Sequence, residues 1–335
     1  MLAEQLVLVM HPRWMKQADD TTALNHANLT AVVPATADSK NWFEITREFK
    51  ETYDCTDEDM ADRKVRRQTA KLQLRLKLKA DTAYAFIAAA RGTSAAPVAN
   101  GDGTYTHTSA RTPAYDFELP PTTMIIAGAG QDDVDARELR AVRCVSFEII
   151  GDDGDYFYMD VVLDFYPIVT PVADYTPPAC SDAGTVLDTA DSEMTVDGGS
   201  IQSVLFDSRI SYDNQLREGR YRFTNAGQNP TRAHRGARRN DRMSLTLSID
   251  PDHAISTEVE AGTQTDHNVV RRCGTTTNFI QFAYPKARFE GNVTPEGDQR
   301  PLVTKVNVVP MKSAGVVSTV TARNTVAQQY LPAAA

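Results

Sequence analysis

The chain has 335 residues, 41% hydrophobic and 24% charged, the balance of a packed globular protein with room for two ordinary domains or one large β-rich one. A formal net charge of −9 and an isoelectric point near 5.2 exclude nucleic-acid binding by overall charge, so any basic stripe must act locally. Four scattered cysteines (Cys55, Cys144, Cys180 and Cys273) have no CxxC spacing and read as reduced thiols rather than a disulfide frame.

The opening MLAEQLVLVMHPRW has a short apolar run, with Glu4 where an export signal needs positive charge, and no later stretch matches a membrane span. The chain is therefore expected to be soluble and made in the cytoplasm. DCTDEDMAD, residues 54–62, gathers carboxylates but lacks the turn glycine and closing glutamate of a calcium loop, and reads as a solvated acidic loop.

The most regular passage is VRRQTAKLQLRLKLKADTAYAFIAAARG, residues 65–92. Leu72, Leu74, Leu76 and Leu78 alternate with Lys71, Gln73, Arg75, Lys77 and Lys79. This is a strand with one apolar and one basic face, and a helix follows it. Asp81 is placed to cap that helix and Gly92 to end it. The insert-like stretch around YTHTSARTPAYDFELPP comes next, and then IIAGAGQ, residues 125–131. The latter has neither a full GxGxxG nor a surrounding βαβ pattern and reads as a strand running into a turn. VSFEII and YFYMDVVLDFYP, separated by GDDGD, predict a β-hairpin. SLTLSI and LVTKVNVVP are further strands.

Residues 169–199 are rich in proline, small and acidic residues and read as a connector. The halves on either side echo one another. With residues 71–86 placed over residues 242–257, a shift of 171, Leu74 meets Leu245, Leu76 meets Leu247, Leu78 meets Ile249 and Asp81 meets Asp252. Gly262 then stands where Gly92 stood. The element of amphipathic strand, Asp cap, short helix and Gly stop occurs twice, which predicts an internal duplication with an insert at roughly residues 93–130 of the first copy.

No motif marks chemistry. The six histidines are dispersed, with no HExxH and no zinc spacing, and no GxSxG elbow is present. No catalytic, cofactor or metal residues are assigned, and the chain is not expected to be an enzyme. The densest basic segment, RAHRGARRNDR, has no aromatic residues to stack on bases. It precedes the second amphipathic strand as VRRQ precedes the first. Contact with phosphates and pairing with an acidic neighbouring subunit both stay open for it. The candidate subunit-interface residues are Arg232, Arg235, Arg238, Arg239, Arg66 and Arg67.

Two tandem β-rich units, each with an alternating strand leading into a short helix, resemble the tail tube proteins of long-tailed phages, in particular those with a duplicated tube domain in one chain. The likeness also rests on RELRAVRCVSFEIIGDDGDYFYMD, residues 137–160, and on NFIQFAYPKARFEGNVTPEGDQRPLVTKVNVVPMKSAG, residues 278–315. It covers most of the chain after about Trp42 as a pattern. The resemblance implies a mainly β protein with two tandem β-barrel or sandwich domains, each flanked by a short α-helix. The implied division is an N-terminal arm (1–40), a first tube-like domain (41–170), a linker (171–199), a second domain (200–312) and a C-terminal arm (313–335).

It further implies a structural virion protein, assembled in the host cytoplasm, whose trimers form pseudo-hexameric rings stacked along a tail. Genomic DNA and the tape-measure protein would occupy the bore without sequence-specific binding. Tail tip or baseplate and tail terminator proteins would be partners, with no membrane and no cofactor. Alternatives are another virion β protein (a capsid decoration or baseplate component) or a carbohydrate-binding or hydrolytic β protein. Because the second copy replaces the basic residues of the first strand with Ser and Thr, the basic face is expected to meet solvent or an acidic neighbour rather than the bore.

Overall fold

A computed structural model describes residues 6–18, 22–35, 42–53, 60–110, 119–128, 136–152, 154–166, 169–173, 175–178, 184–215, 240–248, 254–294 and 303–332. It is mainly β. Strands β1 (Leu6–Met10) and β2 (Ala31–Pro34) come first, then the hairpin β3 (Trp42–Tyr53) and β4 (Met60–Lys77) and helix α1 (Ala80–Arg91). A small hairpin, β5 (Val98–Ala99) and β6 (Tyr105–Ala110), precedes β7 (Thr122–Gly128), β8 (Arg137–Asp152), β9 (Tyr158–Asp164) and β10 (Thr170–Pro171). The second half runs β11 (Glu193–Val196), β12 (Gly199–Ser200), β13 (Leu205–Asp213), β14 (Asn240–Ser248), α2 (Ala254–Ala261) and β15 (His267–Gly274). It ends with β16 (Phe279–Thr294), β17 (Val303–Pro310) and β18 (Thr319–Asn324).

The alternating sequence dictates the core strands. Leu72, Leu74, Leu76 and Leu78 are all buried, and so are their counterparts Met243, Leu245 and Leu247. Period 2 puts each set on one face, where it removes apolar surface from water at about 25 cal/mol per Å². The expected hairpin of residues 145–167 is present as β8 and β9, paired antiparallel with Phe147 opposite Val161 and Ile149 opposite Met159.

Strand pairing repeats almost completely between the halves. The pairs β1–β2, β1–β7, β3–β4, β4–β9, β8–β9, β7–β8 and β8–β10 recur as β11–β12, β11–β15, β13–β14, β14–β17, β16–β17, β15–β16 and β16–β18. Three pairings have no twin: β5–β6 and β6–β18, which belong to the inserted hairpin, and β8–β13, which joins the halves. The shift of 171 residues holds in space, since Leu74 faces Val161 while Leu245 faces Val306. The insert is shorter than expected, because β7 matches β15.

Both long strands β8 and β16 change neighbours midway. In β8 the switch comes at Ala141, whose φ of +50° marks a local break in the pleat. Residues up to Val142 pair with β7 and β10, and residues from Arg143 on with β9 and β13. The halves are not separate bodies in their packing: one continuous cluster contains Leu74, Phe86 and Met159 together with Leu245, Phe282 and Val308.

Several expectations change. The expected N-terminal arm supplies β1 and β2, because the apolar run of residues 6–10 pairs with β7. The expected linker contains β11 and β12, and the expected C-terminal arm contains β18 and the buried Tyr330. Asp81 does not cap α1. The N-cap is Lys79, with extended backbone and no side-chain bond, and Asp81 lies inside the first turn, accepting from the Thr82 N–H at 2.8 Å. Its charge still favours the positive helix end. Gly92 does end the helix, at φ +76° with its N–H donating to the Ala88 carbonyl, and Gly262 closes α2 at φ +62°. Asp252 lies outside the described residues.

Leu74→Ala and Leu245→Ala should each lower unfolding free energy by about 2–5 kcal/mol in denaturant titrations, the cost of emptying a fully buried leucine site.

Candidate subunit-interface edges and the polar face

Eight strands form one continuous run in the order β3–β4–β9–β8–β13–β14–β17–β16. One face of this run carries the buried leucines and their partners. The other face carries Lys71, Arg75 and Lys77 of β4, Asp160 and Asp164 of β9, Glu148 and Asp152 of β8, and Asp207, Arg209 and Asp213 of β13. Basic and acidic strands are thus set side by side. Arg75 donates to both oxygens of Asp160 at 2.7 Å each, the planar fork meeting the carboxylate in two parallel bonds. The Asp160 hydrogen bond raises the already high pKa of Arg75, with burial opposing and Glu148 and Asp152 adding to it. The acidic neighbour of the basic face is therefore the adjacent strand of the same chain. Further along, where the second copy is uncharged, the Ser244 hydroxyl is 3.0 Å from Asn307 Oδ1.

The run has two ends. β3 pairs only with β4 among the described residues, and β16 beyond Ala287 pairs only with β17. Both therefore present rows of backbone N–H and C=O groups along an open edge. Among the candidate interface residues, Arg66 and Arg67 lie in β4 beside this edge strand. Arg67 pairs with Glu48 of β3, and Arg66 falls at the irregularity between the Glu48 and Phe49 pairs. Arg232, Arg235, Arg238 and Arg239 lie outside the described residues.

Sequence reasoning missed a buried ionic network at the junction of the halves. The side chains of Arg91, at the end of α1, and Asp241, in β14, are 1% and 4% exposed, and Arg91 Nη1 lies 3.8 Å from Asp241 Oδ2. Ser318 links them, its hydroxyl donating to Asp241 at 2.5 Å and accepting from Arg91 at 3.1 Å. The second Arg91 nitrogen donates to the Ser318 carbonyl at 2.7 Å, and the Tyr284 hydroxyl donates to Asp241 at 3.2 Å. Beside them Asn214 donates to the carbonyls of Ala90 and Val145. A signal for this site was present: Asp241 is in phase with the inward Met243 and Leu245, and a carboxylate on an apolar face requires a partner.

A second cluster holds α2. His267 lies between Glu258 of α2 and Asp197 of the β11–β12 turn, 2.7 Å from each. Burial alone would lower its pKa, but the bonds to Asp197 and Glu258 and their charges outweigh burial and leave it raised above 6.5.

Among the described residues, no group of three or more His, Cys, Asp or Glu side chains suits a metal ion, and no helix is long and apolar enough to cross a membrane. Burial pushes the Cys144 and Cys273 thiols up, Cys273 to about 11, so neither is an activated nucleophile. In comparisons with known proteins, the chain matches no family model and no curated protein.

Asp241→Ala should cost about 3–5 kcal/mol because it leaves the Arg91 cation buried without its counter-charge, whereas Arg91→Met combined with Asp241→Leu should recover most of that loss. Equilibrium unfolding of the three proteins tests the difference. For His267 the folded-state pKa is raised, so its contribution is fully present below pH 6.5 and is lost as pH rises through the folded value. The melting temperature should fall over that window in the native chain, and His267→Gln should remove that part of the fall.

Proposed function

We propose that this chain is a structural subunit of a phage-type tail tube, built from two tandem tube-like domains and closing into rings that stack around a channel. The observation that carries the reading is the β8–β13 pairing: two units with matching strand topology already joined edge to edge in one chain, with an open edge at each end of the joined run. Repeating that join between chains satisfies both open edges and returns on itself as a ring.

Size favours three copies. With strands about 4.8 Å apart and tilted about 40°, three eight-strand runs enclose a cylinder about 48 Å across between backbones. Two would enclose only about 32 Å by the same geometry, before side chains narrow it. Three chains with two matching halves each make the pseudo-hexameric ring.

The helices and second strand layers lie on the leucine side, so a closed ring turns the polar face inward. In this reading Arg75 and Lys77 look into the bore, contrary to the expectation from sequence. That expectation arose because Ser and Thr replace the basic residues in the second copy, which argues against a shared grip on DNA; with Arg75 bonded to Asp160, the basic strand can face the bore without being such a grip. A wall whose basic strand is outnumbered by neighbouring carboxylates releases few counterions on meeting a phosphate backbone, and so lets DNA and a tape-measure protein slide.

Electron microscopy of the concentrated chain, alone and with a tail-tip initiator, is expected to reveal rings or tubes of three chains per layer. A compact monomer under both conditions, with the protein absent from the tails of intact virions, would falsify the reading and point to a capsid decoration or baseplate protein.

A further inference from the structure

We propose that β3 of one copy pairs antiparallel with the far half of β16 of a second copy in the register that β13 and β8 hold within the chain, with α2 spanning that junction as α1 spans the internal one. The inference rests on the ring reading and names the partner surface and its register.

The register follows from the repeat. Val161 and Val306 occupy equivalent places, opposite Leu74 and Leu245. Their other neighbours, Phe147 and Gly291, are therefore equivalent. In the same way Tyr212, opposite Asp241, matches Ile45, opposite Ala70. Inside the chain Phe147 pairs with Tyr212 and Ser146 with Asp213. The intermolecular pairs are then Gly291 with Ile45 and Glu290 with Thr46. Both Glu290 and Thr46 are exposed in the single chain.

The two helices supply an independent observation. Helix α1 is buried without interruption from Ala83 to Arg91. Much of its cover comes from the second half: the Asn324 amide donates to the Ala80 carbonyl at 3.2 Å, the Tyr330 hydroxyl to the Asp81 carbonyl at 2.8 Å, and Arg91 reaches Ser318. The equivalent helix α2 leaves Ala254, Thr257, Glu260 and Ala261 exposed. The cover on α1 includes chain that follows β18. Its counterpart for α2 is the chain that follows β10, which belongs to the half that a second copy would place across the open edge.

The test uses full-length chains with Cys55 and Cys180 changed to Ser, carrying Thr46→Cys, Glu290→Cys, or both. Residues directly opposite in an antiparallel pair stand about 4.5–5.5 Å apart at Cα, within disulfide reach. Oxidising the double variant should give covalent oligomers up to the closed ring, and an equimolar mixture of the single variants should give only dimers. Disulfide formation in Thr46→Cys alone would mean two β3 edges pair with each other, and would overturn the proposal.

A control variant with Thr46→Cys and Arg288→Cys separates the two readings. Rings by microscopy with crosslinking only in the control would overturn the register and leave the tube reading standing. No rings and no crosslinks in any variant would overturn both. As a check free of substitutions, amide exchange in β3, in β16 beyond Ala287 and in α2 should slow at least about tenfold when the native chain assembles. Unchanged exchange in assembled rings would overturn the proposal.

Discussion

Backbone polar groups in a sheet must find partners, and the pairing of β8 with β13 is where this chain meets that requirement between its two halves. The rest of the architecture depends on it. The pairing places the leucine faces of β4 and β14 on the same side of one run, so a single apolar cluster can form across both halves. It also brings the end of α1 against β14 and the chain before β18, where the Arg91–Asp241 network forms. A slip of one residue at this junction would send every inward side chain of the second half to the polar face.

The polar face shows how an acidic protein can carry a markedly basic strand without a basic surface. Charge on β4 is answered by Asp160 within hydrogen-bond reach and by Asp164 one pairing step away, opposite Lys71. At separations of 3 Å the local pairs dominate the field, and at distances beyond about 10 Å salt screens what remains. What a polyanion would meet at this face is the residue of those cancellations.

Features set by nearby residues were legible in the sequence. The alternating leucines fixed the inward face of β4, GDDGD marked the β8–β9 hairpin, and Gly92 and Gly262 marked the helix ends, because each depends on a few adjacent dihedral angles. The helix cap was less so. Asp81 has the right chemistry, but Lys79 already holds an extended backbone, paired with Val186, and the helix starts at once behind it. Strands of the connector, β11 and β12, were hidden because two to four residues are too few for alternation to register. The junction itself was not legible, since β8 and β13 meet across dozens of intervening residues and nothing local in either strand names its partner. Arg91 looked like an ordinary basic residue in a last helical turn, and only the fold shows that it is buried against Asp241.

The ionic network also distinguishes the two kinds of junction that a doubled chain possesses. The counterpart of Arg91, the last residue before its closing glycine, is Ala261, and by the repeat shift that of Asp241 is Ala70, so the second half has neither charge with which to build the same contact. A chain holding a single unit must use one surface for every join in its ring. In the ring proposed above, fusing two units makes one join a permanent internal weld, while its twin would have only strand pairing and helix cover and could still come apart. Were such rings to assemble in order, the reversible seam would be the one that permits correction, and the welded seam would halve the number of places where an error can occur.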